Sequence, residues 1–160
     1  RGMDKEGFSG RDGRSTIFDY WSIDSVNHGY FDIRKKTPSE RKLIEAYKRV
    51  MLIAEKEKAA SRGLTFDLMY VNGHLAQSQY AFLRKKDDEL LLVVVNFAAE
   101  AIDRGVIIPS HAFEYMGIAE GDADAVDLLS DGKAKFHLAV NEAVNVAVPA
   151  HGGVVYKIKQ

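Results

Sequence analysis

Hydrophobic and polar positions change their period once along the chain, near residue 63. Before it, Leu43, Tyr47, Val50 and Ala54 recur at helical spacing, and Ile44 and Met51 widen the stripe. Thr37-Pro38-Ser39-Glu40 places a capping threonine, a first-turn proline and a glutamate three residues after the cap. Lys58 and Arg62 suit the negative end of a helix dipole, and Gly63 supplies a stop. The pattern predicts one amphipathic helix over 38–61.

After residue 63 the period becomes that of strands. Strands are predicted at 66–71, 80–84, 90–96, 101–108, 126–129, 135–138, 144–148 and 154–158, with a helical interruption near 111–116. Asn72-Gly73 and Lys85-Lys86-Asp87-Asp88 read as turns. No helix-length pattern separates the strands, so a mainly β, antiparallel sandwich is expected rather than a parallel sheet. Alternation predicts a core of Leu68, Tyr70, Phe82, Leu91, Val93, Val95, Ile107, Leu128, Phe136, Val146, Val148 and Tyr156.

The stretch 1–36 has no sustained period. Five glycines punctuate it, and Phe8, Phe18, Tyr20, Trp21, Tyr30 and Phe31 load it with rings. Burying one such ring is worth about 1.5–3 kcal/mol, so this loop is expected to lie against other protein.

Composition narrows the function classes. With 22 basic and 23 acidic residues the net charge is −1, which offers nucleic acid no attracting field. The basic stretch Arg34, Lys35, Lys36, Arg41, Lys42 is diluted by Glu40 and Glu45 and reads as a solvated helix face. The longest apolar run, 90–95, is too short to span a bilayer, so no membrane partner is expected. There is no cysteine, which removes disulfides, thiolate metal sites and thiol nucleophiles. His28, His74, His111, His137 and His151 have no ligand-like spacing, so neither a metal nor any other cofactor is expected. The opening residues carry no signal peptide and read as a start in mid-protein, and nothing in the sequence marks a compartment.

One segment combines chemistry unlike the rest. In 10–21, Gly-Arg-Asp-Gly-Arg-Ser-Thr-Ile-Phe-Asp-Tyr-Trp, guanidinium groups, carboxylates and rings share one loop. Planar forks and carboxylates bond sugar hydroxyls, and rings stack on the apolar faces of sugars. An Arg–Asp network bracing the loop is the other reading. The neighbouring Gly7 to Gly13 run lacks the Gly-Lys-Ser/Thr ending of a phosphate loop.

Gly-Met followed by Glu-Gly-Phe-Ser-Gly-Arg-Asp-Gly-Arg and Ile-Phe-Asp-Tyr-Trp resembles the segment after the eighth barrel strand in bacterial α-amylase-family glycoside hydrolases. The strands beginning at Phe66, Tyr80 and Leu92, and the ending from Val146 to Val154, resemble that family's C-terminal domain in the expected order. The resemblance implies an antiparallel Greek-key β-sandwich at 63–160. Ahead of it, 1–62 would hold a long amphipathic helix and an aromatic-rich loop left over from a (β/α)8 barrel. It also implies that the retaining acid and nucleophile, about 5–5.5 Å apart in such enzymes, come from earlier strands, so no catalytic residue is expected within this chain. Arg11, Asp12 and Arg14 become candidates for substrate contact at the mouth of the cleft. Related α-glucosidases carry Arg-Asp-Pro-x-Arg there, from which Arg11-Asp12-Gly13-Arg14 departs. The partner implied is an α-glucan or maltooligosaccharide held by the parent barrel. In a fragment standing alone, the Leu43–Ala54 stripe and the aromatic loop are expected either to fold back onto the sandwich or, the preferred reading, to be buried against a second copy as a homodimer. A self-contained carbohydrate-binding or interaction sandwich is the alternative.

Overall fold

The computed structural model describes residues 33–160. Two compact units divide the chain, 1–48 and 49–160.

In the first unit, a 3-10 turn at Ile33–Lys35 leads to helix α1, Pro38–Lys56, whose second half belongs to the other unit. The expected capping box forms. Thr37 N donates to Glu40 Oε2 at 2.7 Å and Glu40 N donates to Thr37 Oγ1 at 3.3 Å. These hydrogen bonds hold the Glu40 carboxyl below its ordinary pKa, the backbone bond from Thr37 being the larger cause. Leu43, Tyr47, Val50 and Ala54 are all exposed.

The predicted single helix is two. Glu57 adopts extended backbone angles and breaks it, and a short helix α2 follows at Lys58–Arg62. Gly63 ends α2 for a steric reason: a Cβ there would stand 2.4 Å from Ala59 O and 2.8 Å from Lys85 O.

The second unit is an antiparallel sandwich of eight strands: β1 Leu64–Asp67, β2 Gln79–Lys86, β3 Glu89–Asn96, β4 Ile102–Ile107, β5 Gly121–Asp127, β6 Lys133–Leu138, β7 Ala143–Val148 and β8 Gly152–Lys159. Six form one sheet in the order β1-β2-β3-β8-β5-β6, and β4 pairs with β7 in the other. The last strand therefore returns between β3 and β5, a Greek-key connection that closes the sheet's centre. Helix α3, Ser110–Met116, contributes Ala112, Phe113 and Met116 to the core and stops at Gly117 in the left-handed region.

Two strand boundaries differ from expectation. The strand expected over 66–71 ends at Asp67, because Asp67 Oδ1 accepts Met69 N at 2.7 Å and starts a turn. Asn72, read as a turn residue, is fully buried: it donates to Leu68 O (2.8 Å) and Ile107 O (2.9 Å) and accepts from Ile107 N (2.8 Å). The strand expected at 126–129 begins instead at Gly121, with Ala123 and Ala125 turned inward and Asp122 and Asp124 outward.

The core expectation holds for Leu68, Leu91, Phe136, Val146 and Val148, which are buried. Phe82, Val93, Val95, Ile107, Leu128 and Tyr156 are half-buried, and Tyr70 is exposed. In β2, β3 and β4 the inner face carries the opposite parity: Ala81, Leu83, Leu90, Leu92, Val94 and Val106. A one-residue shift of parity exchanges the two faces of a strand. Both faces of β3 are apolar here, so alternation could not choose between them.

Candidate functional site

The sheet's outer face is built by the residues that alternate with the core. Cross-strand pairs place Tyr80 opposite Val95, Phe82 opposite Val93, and Val93 opposite Val155. Tyr80 and Phe82 rings lie 5.8 Å apart. Phe97 continues this parity beyond the end of β3, where its N–H bonds Ser78 O at 2.8 Å. His151 steadies the same corner, its Nδ1 3.1 Å from Phe97 O. Tyr80 is 42% exposed and Phe97 67%. A sheet with one solvated face alternates apolar and polar residues, whereas apolar residues on both faces are the pattern of a sheet covered on both sides.

Part of that face already has its cover. Arg84 lies opposite Leu91 and Thr65, and reaches the end of α2: its Nε donates to Ala59 O and its Nη2 to Ala60 O, both at 2.9 Å, while Nη1 donates to Thr65 Oγ1 at 2.5 Å. These carbonyls are among those a helix terminus leaves unsatisfied. Glu89 Oε1 accepts Ala59 N at 2.8 Å. Lys157 then bridges two carboxylates, Glu57 Oε2 at 2.5 Å and Glu89 Oε2 at 3.3 Å. The hydrogen bond to Glu57 is the main cause of a Lys157 pKa raised above the ordinary lysine value. Leu91 is buried on this face, and Ala59 is buried in α2. Further along, Arg49 donates to Leu128 O at 2.6 Å and pairs with Asp131.

This polar joint ties α2 to the outer face of the sheet. Beside it, Tyr80, Phe82, Val93, Val95, Phe97 and Val155 form an apolar surface that no described element fully covers. Chemically, such a surface offers apolar contact area and no hydrogen-bonding side chain except the Tyr80 hydroxyl.

The residues that sequence singled out for sugar contact, Arg11, Asp12 and Arg14, lie outside the described residues, as does His28. The other histidines stand apart: His74 Nε2 is 2.9 Å from Gly105 O, His137 Nδ1 is 2.7 Å from Asp122 Oδ1, and His111 is exposed on α3. Among the described residues, no three His, Asp or Glu side chains converge to hold a metal. No described helix is long and apolar enough to cross a membrane. Sequence reasoning missed Arg84, Glu89 and Lys157. The signal for the apolar face was available in the unbroken run 90–95.

The family described as alpha amylase, C-terminal all-beta domain, matches residues 70–159. Solved structures share the fold. An α-amylase from Geobacillus thermoleovorans, complexed with acarbose, aligns with a TM-score of 0.59 at 14% identity over 86% of this chain and 26% of that one. An Anoxybacillus α-amylase gives 0.56 at 11% identity over 84% and 27% of the two chains. AmyP in complex with maltose gives 0.56 at 15% identity over 91% and 28%. The chain thus spans about a quarter of the length of the solved amylases it matches. No curated protein sequence matches it significantly.

Proposed function

Because the chain belongs to the α-amylase C-terminal all-β domain family, we propose that it is the non-catalytic C-terminal part of a retaining, α-glucan-acting glycoside hydrolase, whose sandwich caps and stabilises a catalytic barrel. The observation that carries this reading is the apolar outer face of the six-stranded sheet, from Tyr80 to Phe97, next to a helix anchored by Arg84, Glu89 and Lys157. A self-contained module would have no use for a second apolar sheet face. A domain packed on a larger partner does, since Tyr80 and Phe97 are 42% and 67% exposed and covering what remains of the two rings is worth about 2–3 kcal/mol.

On this reading 1–62 closes the barrel and 63–160 is the capping domain. The glucan then contacts the parent barrel, with Arg11, Asp12 and Arg14 assigned to the mouth of its cleft by the resemblance of their loop. Loops after barrel strands line the active-site end of such folds. Arg14→Ala in the parent should lower kcat/KM without changing thermal stability; lowered stability at unchanged kcat/KM would assign Arg14 to bracing.

The experiment that tests the capping role replaces Tyr80 and Phe97 with serine in the full-length parent. The barrel's thermal midpoint should fall while kcat/KM below that temperature stays the same. An unchanged midpoint would refute the capping role.

A further inference from the structure

Residues 49–56, the half of α1 in the second unit, contribute no buried side chain: Val50, Met51, Leu52 and Ala54 are exposed and Ile53 is half-buried. Burial of an apolar face, the usual source of helix stability in a protein, is therefore not what holds this segment to the sandwich. Charged groups hold it at two points. At one, Arg49 donates to Leu128 O at 2.6 Å and pairs with Asp131, in the loop between β5 and β6. At the other, Glu57 meets Lys157 of β8 at 2.5 Å. The next turn of chain is held differently. Helix α2 buries Ala59, whose N–H bonds Glu89, while Arg84 donates to the carbonyls of Ala59 and Ala60. Lys56-Glu57-Lys58-Ala59-Ala60 contains no glycine, proline or β-branched residue, and Glu57 makes no side-chain capping bond. The break between α1 and α2 is thus imposed by the sheet and not by the local sequence.

We infer that residues 49–56 form a salt-sensitive strap, clasped to the sandwich by Arg49 and Glu57 and hinged at Glu57 while α2 stays in place. The inference stands on these contacts and is independent of the enzyme reading. Opening exposes little apolar surface, since Ile53 alone among the strap's apolar residues is even half-covered. It also strands no charge. When Glu57 leaves, Lys157 keeps Glu89 Oε2 at 3.3 Å, and the Arg49 and Asp131 side chains, already 40% and 73% exposed, pass into water. Ion pairs as open as Arg49–Asp131 contribute little and are weakened further by salt. The inner clasp is more enclosed, the Glu57 side chain being 14% exposed, which is why the hinge lies there. Its hold is nonetheless limited. Two carboxylates share the one ammonium of Lys157, so their mutual repulsion offsets part of the attraction.

Pulsed electron spin resonance of the 160-residue chain measures the strap directly, because with no native cysteine two introduced nitroxides report alone. The pair E55C/K133C spans the strap and β6, and R62C/K133C spans α2 and β6; all three positions are exposed and outside the clasps. In E55C/K133C a longer distance should appear as sodium chloride rises to about 1 M, where the screening length falls to about 3 Å. Adding R49M/E57Q, which leaves Lys157 paired with Glu89, should raise the longer-distance fraction at low salt at least about fivefold. R62C/K133C should keep its distance throughout. Amide exchange of β3 checks that the variant's sheet is intact; if that protection is lost, the salt series on the otherwise unsubstituted chain decides alone. An E55C/K133C distance that fails to lengthen in salt, or in a variant whose β3 amides stay protected, overturns the salt-sensitive strap. Lengthening of both pairs together overturns the hinge at Glu57.

Discussion

Replacing Arg84 with methionine isolates the joint between helix and sandwich. Methionine preserves most of the apolar stem and removes the three guanidinium hydrogen bonds, to Ala59 O, Ala60 O and Thr65 Oγ1. Ala59 is buried while Ala60 and Arg84 are half-buried, so each bond is partly screened by solvent and contributes about 1 kcal/mol. With the weaker, exposed Thr65 contact, the loss is about 2–3 kcal/mol. For a unit of this size that lowers the thermal midpoint by about 8–13 °C. Urea denaturation of R84M should show the loss as a lower midpoint at constant slope. Amide exchange should show faster opening of 58–62 than of β3. The control is Lys86→Met, since Lys86 is exposed and its ion-pair partner is the adjacent Asp87 at 3.4 Å. If R84M and K86M lie within about 0.5 kcal/mol of each other, and the amides of 58–62 stay equally protected, Arg84 does not hold the helix and the joint has been misread.

Two further outcomes test other parts of the structure. Asn72→Ala should cost about 2–4 kcal/mol, because Leu68 O and the N–H and C=O of Ile107 lose a buried partner together; a urea midpoint equal to that of the unsubstituted chain would contradict the clamp. His137 should titrate above the ordinary histidine value, held up chiefly by its hydrogen bond to Asp122. A raised histidine pKa adds stability that is fully present below the unfolded value and is lost as pH rises through the folded one. NMR titration should therefore show D122N returning His137 toward the ordinary value, and no change in D122N would refute the pairing.

What the sequence disclosed and what it withheld divide along a physical line. Local chemistry was legible: the Thr37–Glu40 box, the Asp87 turn and the strands β2, β3, β4, β6, β7 and β8 follow from signals within a few residues of each element, whereas β5 starts five residues before the expected 126. Break points set by distant groups were not. Glu57 interrupts the helix where Lys157, a hundred positions later, takes its carboxylate, and no signal near Glu57 marks that break. The parity of β2 and β3 failed for a different reason. Leu90 to Val95 offers six consecutive apolar residues, and alternation carries no information where both faces are apolar. That failure is itself evidence about the candidate site. A strand whose inward face cannot be told from its outward face belongs in a sheet with two covers. The inner cover is visible as β4, β7 and α3. Among the described residues the outer cover is α2, which leaves Tyr80 and Phe97 partly exposed. Those two rings are therefore where the proposed capping role is decided: serine at both positions removes the apolar contact and leaves the sheet's inner cover untouched.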